Sequence, residues 1–199
     1  MKKKGRLFVM SGPSGAGKST VISRLLKERP DIYFSVSFTT RKPRKGEVNG
    51  VNYNFVDKAE FERMISADEF LEYAQYVGNY YGTSLKVIRE KIEAGINVLL
   101  DIEVQGAANV RKKCPEAVTI FMMPPSMEEL KRRLCTRNTD EESVILKRLE
   151  QARREYREIM LYDYLVINDE VECAVKELLS ILAAEECRVE NRAYLIEGV

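Results

Sequence analysis

The feature that most constrains the fold is a glycine-rich segment near the N-terminus that satisfies the pattern G-x-x-x-x-G-K-[ST]. An apolar run at Leu7–Met10 predicts a strand directly before it, and Lys18–Glu28 predicts a helix directly after it, with Pro30 beyond the helix end. A phosphate-binding P-loop requires this context, because its backbone N–H groups and the N-terminus of its helix must point at phosphates. We therefore expect this segment to bind a nucleoside triphosphate through Gly12, Pro13, Ser14, Gly15, Ala16, Gly17, Lys18, Ser19 and Thr20.

Three polar side chains have expected roles around that triphosphate. Lys18 should reach the β- and γ-phosphates, and the Ser19 hydroxyl should be a ligand of Mg²⁺. Asp101 closes an apolar strand at Val98–Ile102, where an acid can support the Mg²⁺ through its waters. Taken alone, Asp101 could instead belong to a turn or cap a helix. The P-loop favours the magnesium role.

Composition excludes several other chemistries. The 199 residues include no histidine, so Ser-His-Asp and Cys-His catalysis and histidine-ligated metals are excluded. The formal net charge of +1 gives no reason to expect nucleic acid or an anionic membrane as a partner. No stretch approaches the roughly 20 apolar residues of a membrane span. The apolar run at Leu7–Met10 is too short for the core of a signal peptide, so a cytoplasmic protein is expected. Four scattered cysteines without a C-x-x-C pair predict buried reduced thiols rather than zinc or disulfides.

Strands and helices alternate along most of the chain, which predicts an α/β fold with a parallel sheet flanked by helices. The further predicted strands are Tyr33–Thr39, Val118–Met122 and Leu165–Asn168. The further predicted helices are Lys58–Ser66, Leu85–Glu93, Ser126–Leu134 with a Ser126/Glu129 capping box, Glu141–Glu158 and Val171–Ala184. Residues 41–81 differ, because glycines separate short aromatic-rich strands there. That segment predicts a small separate lobe.

A second group of polar residues suggests an acceptor site. Residues 35–55 read SVSFTTRKPRKGEVNGVNYNF, and FLEYA at 70–74 and GNYYGT at 78–83 follow. Singly, Arg41 and Arg44 could form a solvated turn, Tyr81 could pack a small sheet, and Glu72 could be a surface acid. Together, and after a P-loop, these segments closely resemble the guanylate kinase family. They match its S-x-S-x-T-T-R-x-P-R-x-G-E-x-x-G-x-x-Y-x-F signature and its F-L-E-x-A and G-N-Y-Y-G-T blocks, and the resemblance runs from Leu7 to Ala184.

The resemblance implies how GMP would be bound. Arginine forks suit phosphate, so Arg41 and Arg44 would hold the monophosphate. Glu72 would accept hydrogen bonds from N1–H and N2–H₂ of guanine. The full implied set is Ser37, Arg41, Arg44, Glu47, Tyr53, Glu72, Tyr81, Thr83, Asp101 and Glu103, in which Ser37 and Thr83 donate to O6 and the tyrosines help to hold the phosphate. Glu103 departs from the D-I-D-x-Q-G pattern of the family, so its contact is the least defined.

The resemblance also implies a lid. Residues 131–140 are dense in positive charge; by composition alone they could be a solvated helix face. In the family this region closes over the triphosphate, which implies that Arg133 and Arg137 bind ATP and that Arg148 joins Arg137 in neutralising the transferred phosphoryl group. Asn138 replaces the usual glycine of the lid turn. Asn168 matches the residue of the family that contacts adenine.

One domain over residues 1–199 is thus expected, with a P-loop core at 5–36, 84–136 and 159–187. A GMP-binding lobe would span 37–83, a lid 137–158 and a tail of unassigned role 188–199. The implied reaction transfers a phosphoryl group from Mg·ATP to GMP or dGMP in purine nucleotide metabolism, with Lys18, Arg41, Arg137 and Arg148 as catalytic residues.

Two alternative functions are compatible with parts of this pattern. One is a protein-binding scaffold module with the same fold, against which the intact P-loop argues. The other is a related P-loop kinase with another small phosphorylated acceptor, against which Ser37, Glu72 and Thr83 argue. The sequence leaves the oligomeric state open.

Overall fold

A five-stranded parallel sheet forms the centre of the structure, a computed structural model that describes residues 3–44, 46–76, 78–136 and 142–195. Its strands in spatial order are β2 (Tyr33–Phe34), β7 (Val98–Asp101), β1 (Leu7–Ser11), β8 (Val118–Met123) and β9 (Tyr164–Ile167). The central strand β1 is buried along its whole length. Burial on both faces explains its continuous apolar sequence.

Helices cover both faces of this sheet. The α-helices are α1 (Lys18–Glu28), α2 (Lys58–Ser66), α3 (Leu85–Glu93), α4 (Val104–Lys113), α5 (Met127–Thr136), α6 (Glu142–Glu155), α7 (Val171–Glu186) and α8 (Val189–Arg192), with 3₁₀ turns at Tyr156–Leu161 and Ala193–Leu195. Phe8 and Met10 of β1 pack with residues of α1 and α7, whereas Leu7 and Val9 pack with residues of α3 and α4. This alternation follows from the two-residue period of a strand. The predicted flanked parallel sheet is confirmed.

A second, mixed sheet lies between α1 and α3 in the sequence. Its order is β4 (Asn54–Phe55), β3 (Phe38–Thr39), β6 (Asn79–Ser84) and β5 (Phe70–Tyr76). Strands β3 and β4 are parallel, and the other two pairs are antiparallel. A separate small core supports it, in which Phe61 of α2 stacks on Phe70 at 4.4 Å and on Tyr80 at 5.2 Å between ring centroids. The predicted small mixed lobe is therefore confirmed as an element of the fold.

Several predicted boundaries were wrong. Tyr33–Thr39 is not one strand, because Tyr33–Phe34 joins the main sheet and Phe38–Thr39 joins the small sheet. Helix α4 was not predicted at all. The predicted helix at 141–158 ends as an α-helix at Glu155 and continues as a 3₁₀ turn. In the tail, residues 189–195 form α8 and a 3₁₀ turn. Glu190 of α8 forms an ion pair at 2.9 Å with Arg6, which directly precedes β1.

The cysteines and the capping box also differ in part from expectation. All four cysteines are free, but Cys135, Cys173 and Cys187 are exposed, so their predicted burial is wrong. Ser126 Oγ accepts the N–H of Glu129 at 3.1 Å as a cap should, while the Glu129 carboxylate accepts hydrogen bonds from arginines instead of closing the box. Within the described ranges, no helix is long and apolar enough to cross a membrane.

Candidate active site

The P-loop lies at the carboxyl edge of the parallel sheet, where ligand sites of α/β folds form. Gly12 follows β1 with φ of +143°, and a Cβ there would lie 2.0 Å from the carbonyl oxygen of Met122 on β8. Gly17 precedes α1 in the left-handed conformation with φ of +86°. Both positions therefore require glycine, one for close approach and one for the turn into the helix. Ser14, Ser19 and Thr20 are exposed on the outer side of this loop and first turn.

Lys18 is held at the centre of the loop. Its Nζ donates to the carbonyl of Gly12 at 2.6 Å and lies 3.9 Å from Oδ1 of Asp101 at the end of β7. Burial raises the pKa of Asp101, Lys18 lowers it and Glu103 raises it further. The ammonium and the carboxylate therefore form an ion pair at the edge of the sheet where the terminal phosphates are expected.

A magnesium site in this place would need few protein ligands. Among the residues that the structure describes, no group of three or more cysteine or acidic side chains is arranged to hold a metal ion. Mg²⁺ in nucleotide sites usually takes one or two protein oxygens and completes its shell with phosphates and water. An exposed Ser19 hydroxyl and the nearby Asp101 carboxylate fit that donor set.

Asn168 connects the P-loop to the last strand of the sheet. It follows β9, is buried, and donates from Nδ2 to the carbonyl of Ala16 at 2.7 Å. Its Oδ1 is also buried and has no hydrogen-bond partner within the described residues. One side of the amide thus fixes the loop, and the other side is left to accept a hydrogen bond.

Arg133 lies beside Asn168. Its Nε donates to Glu129 at 2.6 Å, and a second guanidinium nitrogen donates to the carbonyl of Asp169 at 3.3 Å. Hydrogen bonds from Arg132 and Arg133 lower the pKa of Glu129 to about 2. Arg133 therefore lies beside the P-loop, and its role in ATP binding stays a prediction.

A cavity of about 260 Å³ lies between the two sheets and reaches from the P-loop to the small lobe. Many of the predicted acceptor residues line it together with Lys18: Ser37, Tyr53, Glu72, Tyr81, Asp101 and Glu103. Ala74, Ile102 and Gly106 also line it and were not predicted. Residues far apart in the sequence thus share one cleft that extends to the lysine of the P-loop.

Glu72 is the buried acid of this cavity, with 6% of its surface exposed. It lies opposite Thr83 in the β5/β6 pair, and the Thr83 hydroxyl donates to its Oε1 at 2.5 Å. Burial raises the pKa of Glu72, while the Thr83 hydrogen bond and the charge of Lys113 lower it. The predicted donation from Thr83 to guanine O6 is not the arrangement seen here, because the hydroxyl proton is directed at Glu72. Donation to O6 would need rotation of the Thr83 side chain.

Arg41 and Glu47 form a bidentate pair next to the cavity. Both guanidinium NH groups donate to Glu47 at 2.9 Å, and the guanidinium carbon lies 5.3 Å from the ring centre of Tyr53. Glu47 also accepts the backbone N–H of Arg44 at 2.7 Å, while the Arg44 side chain is exposed. The hydrogen bonds from Arg41 hold the pKa of Glu47 below its ordinary value. Glu47 therefore orients Arg41 on the edge of the cleft.

The lid residues are described only in part. Arg148 lies half-buried on α6. Arg137 and Asn138 lie outside the described residues, so their predicted roles stay predictions. Glu155, at the end of α6, was not singled out by the sequence. Burial raises its pKa, Glu103 raises it further and Lys18 lowers it, which places a second buried acid near the P-loop.

Comparisons with known proteins agree with this geometry. A guanylate kinase family model matches residues 4–185. The chain is 49% identical over 195 residues to a guanylate kinase of Desulfitobacterium hafniense, covering 98% of both chains, and 53% identical over 190 residues to one of Halalkalibacterium halodurans, covering 96% of this chain and 93% of the other. A crystal structure of guanylate kinase from Anaplasma phagocytophilum is similar with a TM-score of 0.77 at 38% identity, covering 94% of this chain and 89% of that one. The chain therefore belongs to the guanylate kinase family.

Proposed function

We propose that this chain is an ATP:GMP phosphotransferase that transfers the terminal phosphoryl group of ATP to GMP and dGMP, giving ADP and the nucleoside diphosphate. The observation that carries the proposal is the shared cavity, since Lys18 of the P-loop and the buried Glu72 of the small lobe line the same cleft. A donor phosphate on the P-loop and an acceptor base at Glu72 would then lie at its two ends. Family membership supports the same reaction.

Glu72 would select the base. An ionised carboxylate only accepts hydrogen bonds, and guanine presents two adjacent donors at N1–H and N2–H₂. Adenine presents an unprotonated N1, which would face the carboxylate without a proton between them. Because Glu72 is buried, the mismatch leaves a desolvated charge unpaired, and such sites discriminate strongly between bases. Ser37, on the wall of the same cavity, would add a donor for O6.

Catalysis would rest on alignment and charge neutralisation, since phosphoryl transfer needs little covalent chemistry from the protein. Lys18, Arg41 and Arg44 supply positive charge around the two phosphates, and Arg137 and Arg148 would add theirs when residues 137–158 close as a lid. Tyr53 and Tyr81 pack edge to face at 6.0 Å and support the position of Arg41. Mg²⁺, held by Ser19 and through water by Asp101, would neutralise charge on the phosphates when bound.

The domain division follows from the same reasoning. Residues 37–83 would be the GMP-binding lobe, because they supply Ser37, Tyr53, Glu72 and Tyr81 to the cavity. The core would hold ATP, with Asn168 at the adenine and Arg133 at the triphosphate. Four free thiols support a cytoplasmic location.

The test is ADP release from Mg·ATP with GMP, dGMP, AMP, CMP, UMP or no acceptor in parallel. Turnover should be confined to GMP and dGMP. A Lys18→Ala variant should lose that turnover while keeping its fold, because the side chain is only part-buried. Equal turnover of AMP would contradict guanine selection, and ATP binding without turnover on any acceptor would favour the scaffold alternative.

A further inference from the structure

Gly106 occupies an unexpected position for a glycine. It lies in the first turn of α4 and, over the ranges that the structure describes, no other glycine is inside a helix. Its φ lies outside the left-handed region, so the backbone conformation does not require glycine. Glycine weakens a helix relative to alanine because it has more conformational freedom to lose. A reason for it must therefore come from packing.

The packing reason is the Glu72 carboxylate. A Cβ on Gly106 would lie 2.9 Å from Oε2 and 3.4 Å from Cδ of Glu72, and 3.4 Å from Cδ1 of Ile102. A carbon 2.9 Å from that oxygen is closer than side chains in proteins come, so one group would have to move. Cδ1 of Ile102 would be in van der Waals contact with the same Cβ.

The Glu72 carboxylate cannot move away from position 106 without weakening the hydrogen bond that it accepts from Thr83. Its side chain is buried, and Oε1 accepts the Thr83 hydroxyl at 2.5 Å. Glu72 and Thr83 are paired across β5 and β6, so their backbones are fixed relative to each other. Turning Oε2 away from α4 would rotate the carboxylate plane and bend the Thr83 hydrogen bond.

We propose that Gly106 is a specificity-determining positioning residue, whose missing side chain lets the Glu72 carboxylate lie against α4 in the plane needed to read a purine. The proposal rests on the proposed function. Two parallel hydrogen bonds from N1–H and N2–H₂ require the carboxylate and the base to be nearly coplanar. The first turn of α4 adds a favourable field, since helix N-termini stabilise negative charge. A methyl group at position 106 would tilt the carboxylate and misalign this pair.

The experiment compares Gly106→Ala with the wild-type chain and with Gln105→Ala, an exposed neighbour in the same turn. Gly106→Ala should lower kcat/KM for GMP by ~10- to 100-fold, as small misplacements of a positioning group do. Its KM for ATP should stay within about twofold, and its Tm should change little, because the helix preference of alanine offsets the strain of the contact with Glu72. Discrimination of GMP against IMP, which lacks the 2-amino group, should also shrink. Gln105→Ala should match the wild-type chain in all four readouts.

Glu72→Asp provides the second arm, because the shorter side chain withdraws the carboxylate from position 106. In the Glu72→Asp background, Gly106→Ala should cause less than about a twofold further loss, as expected for two residues that act through one contact. The inference would be overturned if Gly106→Ala caused equal losses in both backgrounds, raised KM for ATP in parallel, or left GMP turnover unchanged. Any of these results would leave the proposed function intact. A wild-type chain without GMP turnover would remove the proposed function, and the inference with it.

Discussion

At the scale of single residues, the site depends on carboxylates whose surroundings oppose their charge. Burial raises the pKa of Glu72 above its ordinary value of 4.5. The folded chain therefore binds this proton more tightly than the unfolded chain, so ionised Glu72 costs stability at neutral pH. That cost decreases as the pH falls below the raised pKa and is gone below the ordinary value of 4.5. The group that would read guanine is thus kept charged at the expense of stability.

The raised pKa of Glu72 predicts that KM for GMP depends on pH, whereas KM for ATP does not. As the pH falls from neutral towards the ordinary carboxyl pKa of 4.5, KM for GMP should rise in the wild-type chain, because protonated Glu72 presents a proton to guanine N1–H. KM for ATP should change little in that interval. Glu72→Gln should raise KM for GMP by ~100-fold or more at every pH, with a flat profile and a Tm at neutral pH no lower than the wild-type value.

Steady-state kinetics with either substrate varied and thermal melts across this pH interval check the prediction. A pH-independent KM for GMP in the wild-type chain would contradict the role of Glu72. So would a Glu72→Gln variant that loses ATP and GMP affinity equally.

Residue types predicted which side chains share the cleft better than they predicted the hydrogen bonds that those side chains make. Lys18, Asp101 and Glu72 lie around one cleft, as their roles require. The partners of Thr83, Arg41 and Asn168 were not foreseen, because each hydrogen bond of these side chains depends on which neighbour the fold brings close. Thr83 donates to Glu72, Arg41 donates to Glu47, and Asn168 donates to Ala16.

At the scale of elements, the strand, loop and helix around the P-loop matched expectation closely. Helix α1 begins at Lys18 and ends at Glu28, as predicted. Local rules determine these limits, since a left-handed glycine starts the helix and a proline follows its end. Helix α4 was missed. Val104, Ala107 and Val110 have helical spacing and are buried, but Gly106 interrupts a segment of only ten residues.

Gly12 gives a testable prediction about how the P-loop packs against β8. Gly12→Ala should destabilise the fold by about 3 kcal/mol or more and abolish ATP binding, because its Cβ would collide with a backbone carbonyl of β8. Gly50→Ala is the matched control: Gly50 also has a positive φ, of +79°, but nothing lies within 4 Å of its Cβ. It should cost only about 1–2 kcal/mol.

Urea unfolding and ATP affinity, measured on both variants, test this prediction. If Gly12→Ala bound ATP normally, or if the two variants lost similar stability, the close approach of loop and strand would not be what requires glycine at position 12.

At the scale of the whole molecule, two cores support the two sides of the cleft. The small core around Phe61, Met64 and Phe70 belongs to the lobe, and larger clusters lie on both faces of the main sheet. Each side of the cleft therefore has a core of its own, although Leu71 of β5 also packs into the cluster formed by β1, α3 and α4. A substitution that weakens the core of the lobe should therefore affect GMP binding more than ATP binding.

Phe61→Ala tests this separation. Phe61 is fully buried between two rings, and its truncation should cost about 3–5 kcal/mol. Because the loss falls on the small sheet, KM for GMP should rise at least about tenfold while ATP affinity stays near the wild-type value. Leu178→Ala, which truncates a buried residue of the main core, is the control.

Melting curves and both KM values at a temperature where the variants are folded provide the comparison. Leu178→Ala should lower Tm without a selective effect on GMP. A Phe61→Ala enzyme that loses ATP and GMP affinity to the same extent would contradict an independently packed GMP lobe.

The sequence by itself determined the features that local chemistry dictates. These are the P-loop with its strand and helix, the class of the fold, and the types of groups that would meet two nucleotides. The tertiary structure decided which contacts those groups make. It divided Tyr33–Thr39 between two sheets, and it joined Asn168 to Ala16 across 152 positions of sequence. It also placed Gly106 against Glu72. Periodicity and turn signals act over a few residues, whereas such contacts depend on how whole elements pack, which no local pattern records.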